Sequence, residues 1–70
     1  MKKIILHGSE VLVPSTVRFM ATDSSGDIWA YDNEPDMCVQ SWALSGHQKG
    51  NMYFVGNHPE NNWQSTLQKI

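Results

Sequence analysis

The sequence is poor in cysteine and in charge. Cys38 is the only cysteine among 70 residues, so no intramolecular disulfide can form and a secreted disulfide scaffold is excluded. Charged residues make up 17% of the chain, and the five basic ones are scattered rather than grouped in a stripe, which disfavours generic nucleic-acid binding. The expected compartment is therefore a reducing cytoplasm.

Long apolar runs and catalytic motifs are also missing. The apolar run Ile4-Ile5-Leu6 ends at His7, well short of a signal peptide's apolar region or a membrane span. The sequence contains no phosphate-binding loop and no recognisable nucleophile–base motif. We therefore expect no membrane partner and no enzymatic activity. With 40% apolar residues, the chain has the composition of a single small globular domain spanning residues 1–70.

The strongest structural signal is a β-hairpin over residues 17–32. Two runs rich in β-branched and aromatic residues flank Asp23-Ser24-Ser25-Gly26, which fits a type I turn followed by a glycine at positive φ. This three-residue loop predicts four strand pairs: Phe19 with Tyr31, Met20 with Ala30, Ala21 with Trp29, and Thr22 with Ile28. A loop one residue longer would move one strand to the opposite face.

Alternation along these strands predicts which side of the hairpin faces the core. One face is the more apolar and is expected to form the core side: Val17, Phe19, Ala21, Trp29 and Tyr31. The other face is expected to be the outer one: Arg18, Met20, Thr22, Ile28 and Ala30.

The rest of the chain predicts further strands. A hairpin over residues 3–13 is expected to turn at Gly8-Ser9, pairing Leu6 with Val11 and Ile5 with Leu12. Strands are predicted at 37–44 and 52–55, with a polar loop at 45–51 between them. Trp63, Leu67 and Ile70 share one helical face, which predicts a short C-terminal helix, with a strand over 63–67 as the rival interpretation. The predicted fold is a mainly β domain of about six strands, either a small antiparallel sheet or a partly open barrel, with that helix.

Metal and cofactor sites are not expected. The available ligands are spread along the chain: His7, Cys38, His47 and His58. Structural zinc sites draw on pairs of ligands a few residues apart, and no such pair occurs. A calcium loop starting at Asp23 is disfavoured, because Gly26 comes before the third ligand position, Asp27, instead of directly after it. The histidines are expected at the surface, and the thiol is expected to be buried.

Most of the acids fall on predicted turns and strand ends between positions 23 and 36: Asp23, Asp27, Asp32, Glu34 and Asp36. Solvent leaves carboxylates ordinary at such positions, which argues against acid–base catalysis. The favoured interpretation is a solvated turn, and the alternative is an acidic edge that steers a basic partner or mimics nucleic-acid phosphates. A net charge of −2 disfavours strong DNA mimicry.

Three tryptophans and two tyrosines are too many large rings for 70 residues to enclose in one thin core. An exposed aromatic can anchor a protein partner or stack on a base. Because no cationic groove accompanies the rings, protein binding, including self-association, ranks above nucleic-acid binding. The predicted partner-binding residues are three aromatics and three acids: Trp29, Tyr31, Trp42, Asp32, Glu34 and Asp36.

Several short motifs carry a resemblance to a known group: Val13-Pro14, Arg18-Phe19-Met20-Ala21-Thr22-Asp23 with Gly26, Trp29-Ala30-Tyr31, Pro35, Trp42, and Trp63-Gln64-Ser65-Thr66-Leu67. In these the chain resembles small accessory proteins of tailed bacteriophages. The matching residues belong to turns and core, so the resemblance transfers no functional site. It implies a phage or prophage product acting in the bacterial cytoplasm, where proteins of this kind often bind and modulate one host protein, including defence systems.

The predicted function is therefore that of a stoichiometric protein-binding module, a phage-encoded modulator or inhibitor of a host protein. The alternative is a nucleic-acid-binding module with an SH3-like or OB-like barrel.

Overall fold

The structure, a computed structural model, describes residues 1–44 and 50–70. In these ranges eight strands form three antiparallel sheets around one 3-10 turn at Trp63–Ser65. The strands are β1 (Lys2–Leu6), β2 (Ser9–Val13), β3 (Phe19–Thr22), β4 (Asp27–Tyr31), β5 (Asp36–Met37), β6 (Trp42–Ala43), β7 (Met52–Asn57) and β8 (Gln68–Lys69). The mainly β prediction is confirmed in its open-sheet form. Most of the predicted loop at 45–51 lies outside the described residues.

The β3–β4 hairpin is the centre of the fold, and its register is the predicted one. Phe19 pairs with Tyr31 and Thr22 pairs with Ile28. The loop closes as expected: Asp23 N donates to Asp27 O at 2.8 Å, and Gly26 N donates to Asp23 O at 2.9 Å. Gly26 has a φ of 92°, a conformation that a residue without Cβ adopts at little cost.

This hairpin is buried on both faces, so the prediction of a single core side is wrong. The central sheet has the order β7-β4-β3-β8. One face packs on the β1–β2 hairpin through a first core cluster: Ile4, Val13, Val17, Met20, Ile28 and Ala30. The other face builds a second cluster, in which Ala21 and Tyr31 meet Trp42, flanked by Leu44, Trp63 and Leu67. The sheet is therefore the middle layer between two covers.

The β1–β2 hairpin turns one residue earlier than predicted. Its two turn residues are His7 (φ 48°) and Gly8 (φ 83°), and Leu6 pairs with Ser9. Positive φ at both positions is the type I′ geometry, which matches the twist of the flanking strands better than the predicted turn at Gly8-Ser9. The predicted pairs are therefore wrong by two residues, and Ile5 pairs with Glu10 rather than with Leu12. In the observed hairpin Ile4 and Val13 point into the core, while Ile5 and Leu12 are exposed.

The single strand predicted over 37–44 is instead a short hairpin. β5 pairs with β6, and Cys38 N donates to Ser41 O at 2.7 Å to close the turn between them. Hydrogen bonds tie this hairpin to the β3–β4 loop: Ser24 Oγ and Ser24 N both donate to Gln40 O. The turn carries Cys38 to the surface, which contradicts the predicted burial of its thiol.

The C-terminal segment forms the 3-10 turn and then β8, where a short helix was predicted. The free edge of β3 explains this outcome, because its backbone polar groups need partners. Thr66 Oγ1 accepts a hydrogen bond from Thr22 N at 2.8 Å, and Ile70 N donates to Arg18 O at 2.8 Å. Trp63 and Leu67 still reach the second core cluster, while Ile70 packs against the first.

Gly26→Ala should destabilise the protein more than Gly8→Ala. Both glycines have left-handed φ, so each alanine carries backbone strain. At Gly26 the new Cβ would also lie 3.0 Å from Cα and N of Pro59, whereas nothing lies within 4 Å of it at Gly8. In urea unfolding we expect Gly26→Ala to lose about 1–3 kcal/mol, and Gly8→Ala to lose less. Equal losses would mean that the approach of Pro59 contributes nothing.

Candidate protein-binding surface

Two of the predicted binding aromatics lie in the core. Tyr31 is 0% exposed and Trp42 is 6% exposed, so neither ring can reach a partner in this fold. The Tyr31 hydroxyl donates to Trp42 O at 3.3 Å, and Trp42 Nε1 donates to Thr22 O at 3.1 Å. Trp42 N donates to Asp23 Oδ1 at 2.9 Å, and its ring meets Trp63 edge to face. These contacts join β6 to the central hairpin.

The surroundings of Tyr31 keep its hydroxyl protonated. Burial raises the pKa of Tyr31 far above its ordinary value, and the nearby charges of Asp23 and Cys38 raise it further. The neutral phenol is therefore the form that fits the core, and it remains a hydrogen-bond donor throughout the neutral range.

The three predicted acids divide into two kinds. Both carboxylate oxygens of Asp32 accept hydrogen bonds: Oδ1 from Thr16 Oγ1 at 3.0 Å, and Oδ2 from Asn51 N at 3.1 Å. Asp32 thus holds the start of β7 against the end of β4, which is a structural role. Glu34 and Asp36 are exposed, as the carboxylates of an acidic edge that steers a basic partner have to be.

Trp29 is the one predicted aromatic that remains partly at the surface. It pairs across the strands with Phe54 on β7, and the two rings meet edge to face at 5.4 Å. Met52 pairs with Tyr31 on the same face of the sheet. Phe54 is 58% exposed and Met52 is 39% exposed. We call Trp29, Met52 and Phe54 the aromatic edge.

The aromatic edge exists because the cover of the second face is too small. Trp42, Leu44, Trp63 and Leu67 pack on the second core cluster, but Phe54 and Met52 stay exposed on β7. Phe54 and Met52 were not predicted as binding residues. Their alternation with Tyr53 and Val55, which pack on the first cluster, was visible in the sequence. The missing information was which face of β7 has a cover.

Other exposed apolar side chains lie on different elements. Ile5 and Leu12 are more than half exposed on the outer face of the β1–β2 hairpin, and Met37 and Val39 lie on the β5–β6 hairpin. Neither group includes an exposed aromatic ring. Since aromatic side chains dominate the energetics of protein interfaces, the aromatic edge is the strongest candidate among the described residues.

A second group of titratable side chains meets where no ligand pair was predicted. His7 in the β1–β2 turn stacks on His58, which follows β7, with ring centroids 3.6 Å apart. His58 Nδ1 lies 3.4 Å from Glu60 Oε1. His7 and Glu60 also line a cleft of about 330 Å³ between β1, β3 and the segment 65–68. The two histidines are 51 positions apart, so the sequence offered no spacing signal for the cluster.

Tyr31→Phe should remove the stabilising hydrogen bond that the hydroxyl donates to Trp42 O. It should also remove the loss of folding stability that the wild type shows at alkaline pH. At about pH 8 the wild type should be more stable by about 0.5–1.5 kcal/mol, the net value of one hydrogen bond. Above the ordinary tyrosine pKa of 10.0, the unfolded chain loses the phenol proton while the folded chain retains it, so the wild-type advantage should shrink. Urea unfolding of both proteins at about pH 8 and about pH 11 measures this difference. An advantage that is unchanged in alkali would contradict the role of burial.

No helix within the described residues is long and apolar enough to cross a membrane. The chain matches no family model, no curated protein and no solved structure. The resemblance to bacteriophage accessory proteins therefore stays a prediction.

Proposed function

We propose that this chain is a stoichiometric protein-binding module and that the aromatic edge is its contact surface. The observation that carries the proposal is the position of Phe54. Its ring is 58% exposed, yet it is held against Trp29 on a β-sheet rather than on a flexible loop. A rigid, exposed aromatic loses little conformational entropy on binding, which is why such residues serve as interface anchors.

The backbone of β7 supports the same surface. Among the residues described, β7 is hydrogen-bonded to a neighbouring strand, β4, on one side only. Its residues Met52 to Gly56 include no charged side chain and no proline, two of the usual protections of an exposed strand edge. The pairing of β7 with β4 shifts register between Ile28 and Trp29, so the regular part of this edge is Met52 to Phe54. A partner could therefore combine backbone hydrogen bonds along β7 with side-chain contacts at Phe54 and Met52.

The proposed partner is a host protein, and the proposed setting is the bacterial cytoplasm, where the chain would act as a phage-encoded modulator or inhibitor. The resemblance to bacteriophage accessory proteins supports this setting. The exposed carboxylates of Glu34 and Asp36 would favour a partner with a basic rim. Nucleic acid is the weaker alternative, because the five basic residues are scattered and the net charge is negative.

Phe54→Gln should abolish most of the binding, whereas Leu12→Gln should not. Truncating a central aromatic anchor typically costs at least about 2 kcal/mol, or roughly 30-fold in affinity. Leu12 is a matched control because it is similarly exposed, at 62%, but lies on β2 in another layer. Quantitative pull-downs from bacterial lysate with wild type and both variants, followed by titration of the enriched protein, measure the effect.

Both variants must first keep the wild-type thermal stability, so that any loss is a loss of contact. If the proteins enriched by the wild type are retained equally by Phe54→Gln, the aromatic edge is not the contact surface. Loss with Leu12→Gln alone would instead place the contact on the β1–β2 hairpin.

Replacing Glu34 and Asp36 together with Gln and Asn should slow association without changing dissociation. A rim charge acts mainly on the rate of encounter, and its effect weakens as salt increases. Asp32 is left in place because its carboxylate holds the start of β7. Surface plasmon resonance with the recovered partner at low and high salt measures both rates, and Glu10→Gln on β2 is the control. An unchanged association rate at low salt would show that Glu34 and Asp36 do not steer the partner.

A further inference from the structure

His7, His58 and Glu60 form a compact set of metal-binding side chains. One donor atom from each residue lies within 4.8 Å of the other two. All three reach the surface, with Glu60 the more buried. Two imidazoles and one carboxylate are the protein ligands of a type of zinc site in which a fourth position remains open. We propose that this cluster binds one divalent transition-metal ion of the zinc class.

The distances are close to those that a tetrahedral ion requires. Zinc bonds of 2.0–2.1 Å place neighbouring donor atoms about 3.3 Å apart. His58 Nδ1 and Glu60 Oε1 are already 3.4 Å apart. The donor atom of His7 lies within 4.8 Å of both, so it has to come up to about 1.5 Å closer to each of them to complete the set. Movements of this size are within the reach of one exposed side chain, without a change in the backbone.

The backbone segments that carry the two histidines are held in place. His58 N donates to Gly26 O at 2.8 Å, and Pro59 packs closely on Gly26. Asn57 Nδ2 donates to Asp27 Oδ1 at 2.9 Å, which fixes the preceding residue. On the other side, the paired strands β1 and β2 hold the turn that carries His7. Ligands on fixed backbones reduce the entropy that is lost when the ion binds.

His7 occupies a position where asparagine or glycine would be the usual residue. Its φ of 48° makes it the only residue other than glycine with positive φ in the described ranges. Positive φ is uncommon for residues with a side chain, with Asn, Asp and His the most frequent exceptions, and residues held in this region cluster at functional sites. A histidine in this strained turn, facing a second histidine, has an explanation if its imidazole is a ligand.

The stacked rings must separate when the ion binds. The two imidazole planes are 8° from parallel, and a metal ion lies close to the plane of each imidazole that it binds. One ion cannot lie in two parallel planes, so one of the exposed rings has to turn out of the stack. The cleft beside His7 and Glu60 has room for water, which would occupy the open coordination position.

The test is a titration of the full chain with zinc chloride in a non-coordinating buffer, by calorimetry and by NMR of the imidazole resonances. We expect saturable binding of one ion per chain, with the ring resonances of both His7 and His58 shifted. His7→Asn, His58→Asn and Glu60→Gln should each weaken binding at least about tenfold. Asn tolerates left-handed φ, so His7→Asn removes the ligand while the turn is retained. Acidification should weaken binding, because protons compete for the same nitrogens.

His47→Asn is the matched control, since it removes the remaining histidine, which the proposed site does not use. Its zinc affinity should stay within about twofold of the wild type, well under the tenfold effect expected for a ligand. Three results would overturn the proposal: no saturable binding, an equal loss with His47→Asn, or a shift of the His58 resonances alone.

Comparing the melting temperatures of His7→Asn and wild type without metal shows whether the turn is intact. If His7→Asn melts early, the proposal is judged on His58→Asn and Glu60→Gln, and wild-type affinity in both would overturn it.

Discussion

Burial of the β3–β4 hairpin on both faces is the constraint on which the rest of the structure depends. An antiparallel sheet in a small protein usually packs on one face and leaves the other to solvent. Here Met20, Ile28 and Ala30 face one cluster, while Ala21 and Tyr31 face the other. Each cluster has to be covered by other parts of the chain, and a chain of 70 residues has few residues with which to form two such layers.

The two covers differ in kind. The β1–β2 hairpin is a regular, paired unit that places Ile4 and Val13 on the first face. The second cover is assembled from short pieces, namely the β5–β6 hairpin and the segment around Trp63, joined by the hydrogen bonds of Trp42 and Thr66. Because this cover does not enclose the side chains of β7, Phe54 and Met52 remain in solvent. The proposed binding surface is thus a direct consequence of how the second core is closed.

The parts of the fold that depend on local chemistry could be predicted from sequence. The loop Asp23 to Gly26 sets the register of the central hairpin, because few loops place a glycine at positive φ after a type I turn. The turn of the first hairpin was misplaced by one residue because His7-Gly8 is not among the dipeptides typical of type I′ turns, which are Asn-Gly, Asp-Gly and Gly-Gly. The break in the segment 37–44 was missed because its alternating pattern also fits one continuous strand.

Features that depend on distant parts of the chain could not be predicted. In the sequence, the two buried faces of the β3–β4 hairpin differ in composition: one is apolar and the other mixes apolar and polar residues. This pattern predicts one buried face and one exposed face. Tyr31 and Trp42 were sensible candidates for exposed anchors until the second cover placed them inside. The meeting of His7 with His58 depends on the packing of a turn against the segment that follows β7. Only Trp29, which pairs with Phe54, was both predicted as a binding residue and found at the aromatic edge.

Native-state hydrogen exchange tests the two-faced core most directly. The slowest amides of β3 and β4 should exchange only through global unfolding, because both covers must leave before that hairpin opens. The β1–β2 hairpin is attached through one face and is marginal by itself, so its slowest amides should exchange through a smaller opening, at least about 1 kcal/mol below the global value. If the slowest amides of β1 and β2 were instead the most protected in the protein, the central hairpin would not be the element on which the fold depends.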